Sequence, residues 1–356
     1  MEPEAGNPME VEGVLNPASA RGPDGQLYLF PRLVARGNYS RIGIARVRFS
    51  EAGDPVGVER LGFALEPNAD YELRPGGGGC EDPRITFIAP LRRYVMTYTA
   101  LSARGPRIAL AVSEDLFHWQ RLGLASFKPY GDVDFNDVAN KDALFFPVAI
   151  PDPDGQPAMA LIHRPLFPGT GPNETLHCRL PRVVNILRES IWVSYSALTK
   201  ECCDDQLCRH LCHFDSHRRL ATPVAAWEDL KIGGGTPPVL TPQGWLFLYH
   251  GVCEALRETD ARTLRYSAGL LVLDERAPHL VRYRSPEPVL APALVQEREG
   301  IVPNVVFPTA IDRRDDLGLP GRFDVYYGMA DSRIGVARLD WPEHGSAGAQ
   351  PLWSSS

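Results

Sequence analysis

The stretch YVMTYTALSARGPRIALAVS, residues 94–113, decides the fold. Aromatic and branched side chains alternate with small or polar ones, the pattern breaks at Ala103-Arg104-Gly105-Pro106, and a second run of small and branched residues follows. Period-two alternation with β-branched content on both sides of a Gly-Pro break reads as two strands joined by a hairpin. The same pattern returns along the chain. LYLFPRLVARGNYSRIGIARV (27–47) precedes it, and AMALIHRP (158–165) pairs with SIWVSYS (190–196) across a longer insertion. WLFLYHGV (245–252) pairs with YSAGLLVLD (266–274), and FDVYYGMADSRIGVARLD (323–340) closes the series.

These copies recur roughly every 60–80 residues, longer than the usual propeller repeat of about 40–50. A β-sandwich also yields many short strands, but repeated hairpins punctuated by Pro and Gly fit radial blades, which leave only short, protected edges. Five copies predict an all-β chain, a five-bladed β-propeller counted as one domain over 1–356, with its core at about 16–340 and peripheral termini. Amphipathic helices are few. Residues 197–215 are the best candidate, a short helical, Cys-rich insertion.

Composition narrows the function. A length of 356 residues can bury a large core. A net charge of −7 argues against a nucleic-acid partner, which would require a basic face. No run of about 18 apolar residues predicts a membrane span, and MEPEAGNPMEVEGV (1–14) carries acids where a secretory signal needs basic residues. The expectation is a cytoplasmic protein. Seven cysteines, an odd number, fit reduced thiols better than a disulfide framework.

Each copy carries polar groups where its first strand runs out: Arg32, Tyr98, His163 with Arg164, Tyr249 with His250, and Tyr327 with Asp331. Strand ends of a propeller converge on its central channel, so these groups are expected to meet. Between copies stand PGGGGCEDPRITF (75–87), with Glu81, Asp82 and Arg84, then Asn140-Lys141-Asp142, then KIGGG (231–235). The glycines of the first are expected to let the backbone pass close to another group. Acids transfer protons, cations hold an anion and aromatics stack on sugar faces, which points to a carbohydrate enzyme handling an oxyanion. KIGGG lacks the Walker spacing, so no nucleotide is implied.

With these motifs in hand, the chain resembles glycoside hydrolase family 130, the mannoside phosphorylases and related β-mannosidases. The resemblance rests on NPASA (16–20), EDPRIT (81–86), YVMTYTA (94–100), GPRIALAVSEDL (105–116), NKDALFFP (140–147) and HRP (163–165). It continues through IWVSYS (191–196), KIGGGTPPVLTPQGWLFLYHGV (231–252), GIVPNVVFP (300–308) and DVYYGMAD (324–331). It implies a five-bladed propeller with Asp82 as the catalytic acid, protonating the leaving oxygen through a hydroxyl of the mannose ring. Phosphate, the co-substrate of an otherwise cofactor-free enzyme, would attack from the opposite face and give α-mannose 1-phosphate with inversion. Arg32, Lys141, Lys231 and His250 are expected to hold the phosphate. Asn16, Glu81, Arg84, Tyr98, Asp142, His163, Arg164, Tyr249, Tyr327 and Asp331 are expected to line the sugar site, with Arg84 bracing its loop by an ion pair.

A phosphate dianion needs one acid and a cationic clamp, whereas water needs a second carboxylate. Lys141-Asp142 stands where many members have Arg-Asn, and Glu81 where several have tyrosine. These extra carboxylates keep hydrolysis of the same β-mannosides open, and a non-catalytic glycan-binding propeller is a further alternative. The retained cations favour phosphorolysis. In ECCDDQLCRHLCH (201–213), Cys202, Cys203, Cys208 and Cys212 with His210 and His213 include zinc-type ligands, but paired Cys-x-x-Cys knuckles are absent, so no metal is expected. The proline-rich N-terminal segment could pack on a second copy, which makes a homo-oligomer an open expectation.

Overall fold

The computed structural model describes residues 1–131, 133–167, 189–197, 210–256 and 262–342, together with the backbone of 352–355. Its strands form successive antiparallel meanders. The first contains Gly13–Arg21, Leu27–Ala35, Tyr39–Phe49 and Pro55–Leu65; the second contains Gly77–Ile88, Arg93–Ser102, Gly105–Ser113 and Gln120–Leu124. The third has Ala139–Phe145, Pro157–Leu166, Ile191–Ala197 and Ser216–Ala221, and the fourth Lys231–Gly234, Gly244–Leu256, Arg262–Leu273 and Val281–Arg284. Val306–Arg313, Arg322–Met329, Arg333–Asp340 and Leu352–Ser355 make the fifth. Each sequence copy supplies the second and third strands of one meander.

The apolar core is divided among five clusters, each shared by two successive meanders. Phe30, Ile42 and Met96 join the first to the second; Leu110, Phe145 and Trp192 join the second to the third. Phe146, Ile162 and Phe247 join the third to the fourth, and Leu248, Leu270 and Val325 the fourth to the fifth. Val14, Leu29 and Tyr326 join the fifth back to the first. The inner strands of each meander are therefore buried on both faces, which explains why they are richer in apolar residues than strict alternation demands, while outer strands such as Pro55–Leu65 stay largely exposed.

Two local features position the site. The first strands of the first three meanders each carry a bulge, at Leu15/Ala18, Glu81/Arg84 and Lys141/Leu144. Within them Asn16, Asp82 and Asp142 take φ values of 45°, 47° and 56°. Asn and Asp are the non-glycine residues that tolerate this left-handed region, and a bulge re-aims the side chain it carries. The second feature is the glycine run. Gly78 and Gly79 pair in parallel with Tyr39 and Ser40 of the first meander. A Cβ on Gly79 (φ 119°) would collide with the Ser40 carbonyl. The close approach expected of these glycines is thus to a neighbouring strand, and it welds two meanders together.

The helical insertion expected at 197–215 is not supported. Residues 198–209, with Cys202, Cys203 and Cys208, lie outside the described residues. The described end passes from a turn into the short strand His213–Phe214, which pairs in parallel with Ser126–Phe127, and Cys212 is buried. Among the described residues no helix is long and apolar enough to cross a membrane.

Candidate active site

The first group of functional side chains gathers around Asp82. Its Oδ1 accepts from Asn16 Nδ2 at 2.8 Å and from Arg32 Nη1 at 3.3 Å. Asp82 Oδ2 makes no hydrogen bond among the described residues. Arg32 also donates through Nε to Ser40 Oγ at 2.9 Å and through Nη2 to Glu81 Oε1 at 2.7 Å. Arg32 was expected to hold phosphate, but the structure commits its guanidinium to the acids. The reason is charge: Glu81, Asp82 and Asp331 all act on this one buried cation.

Burial first, then the Arg32 and Asp82 charges, set Glu81, whose carboxyl is held above its usual range. Burial, with the Asp82 charge next, pushes Asp331 up to about 6. A carboxyl raised in this way stabilises the fold below its ordinary 3.8, and that contribution is lost as pH rises through about 6. The full loss is ~3 kcal/mol for about two units. Asp331→Asn, which tolerates the same φ of 50°, should therefore be more stable than the parent at pH 8 and equal to it near pH 4. Urea midpoints at the two pH values test this; an unchanged difference between them would remove Asp331 from the coupled cluster.

The second group surrounds Asp142. Arg164 Nε donates to Asp142 Oδ2 at 2.6 Å, while Arg164 Nη1 meets Glu189 Oε2. Burial opposes the Asp142 charge, but the Arg164 guanidinium above all, with Lys141 behind it, holds its carboxyl below the usual range. His250 Nε2 lies 3.7 Å from Asp142 Oδ2, and the His250 ring packs at a tilt against Phe307, centroids 4.4 Å apart. A Cβ on Gly233 would overlap Asp142, His250 and Arg164, so this glycine of KIGGG exists to let them converge. Lys231 sits with its ammonium 5.6 Å from the Tyr266 ring centroid. Burial and the Arg164 charge lower it to about 8.

His250 was expected as a cation. Complete burial lowers it to about 3, so it is a neutral imidazole at ordinary pH. The two groups are joined by Lys141 and Arg84. Lys141 acts electrostatically on Glu81 and Asp331 on one side and on Asp142 on the other. Arg84 does not brace its loop by an ion pair. Its Nη1 donates to the carbonyls of Asp82 (2.9 Å) and Pro83 (3.2 Å), its Nε donates to Gly235 O (2.5 Å), and its guanidinium lies over Phe307. Arg84 Nη2 and both His250 ring nitrogens are buried without a protein hydrogen-bond partner among the described residues, and in the neutral imidazole one of the two ring nitrogens carries the N–H.

Tyr98, His163, Tyr249 and Tyr327 do not join the site. Opposite the bulges stand Arg32, Thr99 and Arg164, and Gly233 faces His250. Tyr98, His163 and Tyr249 lie one residue earlier, and a one-residue step puts a side chain on the other face of a strand. Each tyrosine instead satisfies its hydroxyl inside the core: Tyr98 on Glu72 at 2.6 Å, Tyr249 on Glu228 at 2.7 Å and Tyr327 on Glu297 at 2.8 Å. Each of these glutamates also takes two backbone N–H groups of the turn before it. His163 lies in a buried relay through Ser194 and His217 to the Lys128 carbonyl. Sequence reasoning did not single out Glu189, Tyr266 or Phe307 as site residues. Nothing local marks them; Glu189 reaches the site because its backbone bridges Lys231.

Buried carboxyls gathered with arginine, lysine and histidine at the strand ends of an all-β scaffold are the chemistry of a glycoside-processing enzyme. The chain belongs to glycoside hydrolase family 130, whose model, described as β-1,4-mannooligosaccharide phosphorylase, matches residues 4–343. It is 31% identical over 345 residues, 95% of this chain and 93% of the other, to a 1,2-β-oligomannan phosphorylase of Thermoanaerobacter sp. (strain X514). A β-1,2-mannobiose phosphorylase of the same organism is 30% identical over 83% of this chain and 78% of its own. Among solved structures, β-1,2-mannobiose phosphorylase from Listeria innocua in complex with β-1,2-mannobiose superposes with a TM-score of 0.67 at 22% identity, covering 95% of this chain and 96% of that one. A solved structure described with glycoside hydrolases of this mannoside phosphorylase family that target β-1,2 mannosidic linkages in Candida mannan gives 0.66 at 22% identity, over 98% of this chain and 96% of that one.

Proposed function

We propose that this protein is a five-bladed β-propeller that catalyses inverting phosphorolysis of β-mannosides, with β-1,2-linked oligomannans as the first substrates to try. The relatives matched over most of the chain carry names of that activity. The five core clusters that pass from meander to meander and return to the first support the propeller.

The observation that carries the chemistry is the set of unpartnered buried donors, Arg84 Nη2 and the His250 ring, beside Lys231. Buried donors without partners are costly, and an oxyanion satisfies them. Arg84, Lys231 and Lys141 supply positive charge, and neutral His250 supplies one N–H. Phosphate held there attacks the anomeric carbon while the C1–O bond to the acceptor breaks. The proton on Asp82 Oδ2 passes to a ring hydroxyl of mannose, whose own proton passes to the leaving oxygen. The products are α-mannose 1-phosphate and an acceptor one residue shorter. Asn16 and Arg32 fix the acid, and Glu81 and Asp331 keep negative charge and protons close to it.

Hydrolysis is the second reading, because Asp142 and Glu189 add carboxylates to the clamp. Both are bound to Arg164, and the depressed Asp142 carboxyl is a weak base for water. The deciding experiment is proton NMR of the products from β-mannobiose in phosphate buffer. α-Mannose 1-phosphate is expected; free mannose alone would establish hydrolysis instead. Lys231→Ala should raise the KM for phosphate about tenfold or more, the worth of a hydrogen bond to a charged group, with little change in the KM for mannoside. In the parent, the KM for phosphate should climb as pH passes about 8, where Lys231 loses its proton. A KM insensitive to both changes would remove Lys231 from the clamp.

A further inference from the structure

Lys231 and His250 have no hydrogen bonds of their own to hold them in the anion group. Among the described residues the Lys231 ammonium makes no hydrogen bond or ion pair and meets the face of Tyr266, and neither nitrogen of the His250 ring has a hydrogen-bond partner. Their places are set by their backbones, with the Phe307 ring packed against His250. Those backbones form one antiparallel pair, Lys231 opposite Val252 and Gly233 opposite His250. A single buried carboxylate, Glu228, ties this pair to the rest of the fourth meander. It stands three residues before Lys231 in the chain.

Glu228 Oε1 accepts from the backbone N–H groups of Val224 (3.0 Å) and Ala225 (3.1 Å) and from Arg284 Nη2 (2.5 Å). Its Oε2 accepts from the Tyr249 hydroxyl at 2.7 Å. Arg284, on the outermost strand, also donates through Nε to the Tyr249 oxygen at 3.0 Å, and its guanidinium lies over the Tyr249 ring. Trp227 packs on that same ring, centroids 5.6 Å apart. The chain makes room for this cluster, since a Cβ on Gly251 would come within 2.4 Å of the Trp227 ring and 2.5 Å of Glu228. His250 follows Tyr249 directly and so points to the other face of the strand. Glu228 thus fastens together the turn before Lys231, the residue before His250 and the outer edge of the meander. The second meander repeats the arrangement: Glu72 holds Tyr98 and takes Arg121 through Nε at 2.8 Å and Nη2 at 3.0 Å. There, the glycine run separates the cluster from Asp82.

We propose that Glu228, Tyr249 and Arg284 are positioning residues for the anion group, holding Lys231 and His250 at the spacing that phosphate needs. The proposal rests on the phosphorolysis reading for the identity of that anion. None of the three touches the anion; they act through the two strands that carry its ligands. A fully satisfied buried polar network is rigid. Ligand groups must be held within about 0.5 Å of their working geometry, and those without hydrogen bonds of their own depend on the packing behind them.

Tyr249→Phe removes the hydroxyl that joins Glu228 to Arg284 and alters no group that meets the anion. Tyr98→Phe makes the same deletion in the second meander and is the matched control. Both should lower the urea midpoint to a similar extent. Inorganic phosphate titrated calorimetrically into the full chain should bind Tyr249→Phe about tenfold more weakly than the parent, the scale of one charge-assisted hydrogen bond, and should bind Tyr98→Phe as it binds the parent. In turnover, the KM for phosphate should rise by the same factor in Tyr249→Phe, with the KM for mannoside unchanged. Equal phosphate affinity in all three proteins would overturn the proposal, as would an equal loss in both variants, the mark of general loosening. Should Tyr249→Phe fail to fold, Arg284→Lys carries the same test, because lysine cannot bridge Glu228 and the Tyr249 oxygen with a fork of donors. If the products hold free mannose and no mannose 1-phosphate, yet the phosphate-specific loss appears, the positioning stands and the phosphorolysis reading falls. A parent that binds no phosphate would overturn both.

Discussion

Asp82→Asn should lower turnover on β-mannosides at least about 100-fold while the chain stays folded. The substitution keeps the size of the side chain, and asparagine tolerates the φ of 47° at this bulge. The bond from Asn16 Nδ2 to Oδ1 can survive. On the proposed mechanism what is lost is the acid at Oδ2, and removing a general acid typically costs a factor of 10²–10⁴. The KM for phosphate should change little, because the anion-receiving donors belong to Arg84, His250 and Lys231 rather than to Asp82. The measurement is the initial rate of mannose 1-phosphate release together with a urea melt on the same preparation. Near-parental turnover in a folded variant would transfer the acid role, and Glu81, which shares Arg32 with Asp82, would be tested next.

Arg164→Ala is expected to be the most destabilising single change in the site, by ~3–5 kcal/mol, the range for removing one partner of a buried ion pair. Arg164 is 3% exposed and sits between Asp142 and Glu189. Without it, a fully buried carboxylate and a nearly buried one face each other with only Lys141, Lys231 and Arg84 nearby. The comparison that isolates the electrostatic cause is Arg164→Ala with Asp142→Ala. Removing the stranded carboxylate should recover part of the lost stability, a coupling visible in a double-mutant cycle of urea midpoints. Simple additivity would show that Arg164 acts by packing alone, and the account of Asp142 as a tamed charge would have to be abandoned.

The sequence by itself determined the all-β character, the number of repeats and the identities of the residues at the strand ends. Each of these is written in contiguous residues: period-two alternation in 94–113, the Pro and Gly punctuation, and the short run from Glu81 to Arg84. The nearness of Arg32 and Asp82 was also legible, because one stands at a strand end and the other in the insertion between copies, both expected at the channel; Asn16 entered only through the family resemblance. Tertiary structure alone decided which face each strand end presents. Tyr98 and Thr99 are neighbours in sequence, yet bulge geometry assigns Thr99 to the position opposite Glu81 and turns Tyr98 to Glu72 in the core. Tertiary structure also decided which charges remain free. Arg32 and His250 both look like phosphate ligands in a linear reading, but the first is committed to carboxylates and the second is neutralised by burial. Charge state and pairing depend on groups brought together from distant parts of the chain, and desolvation depends on packing. Neither quantity is carried by any local stretch of sequence.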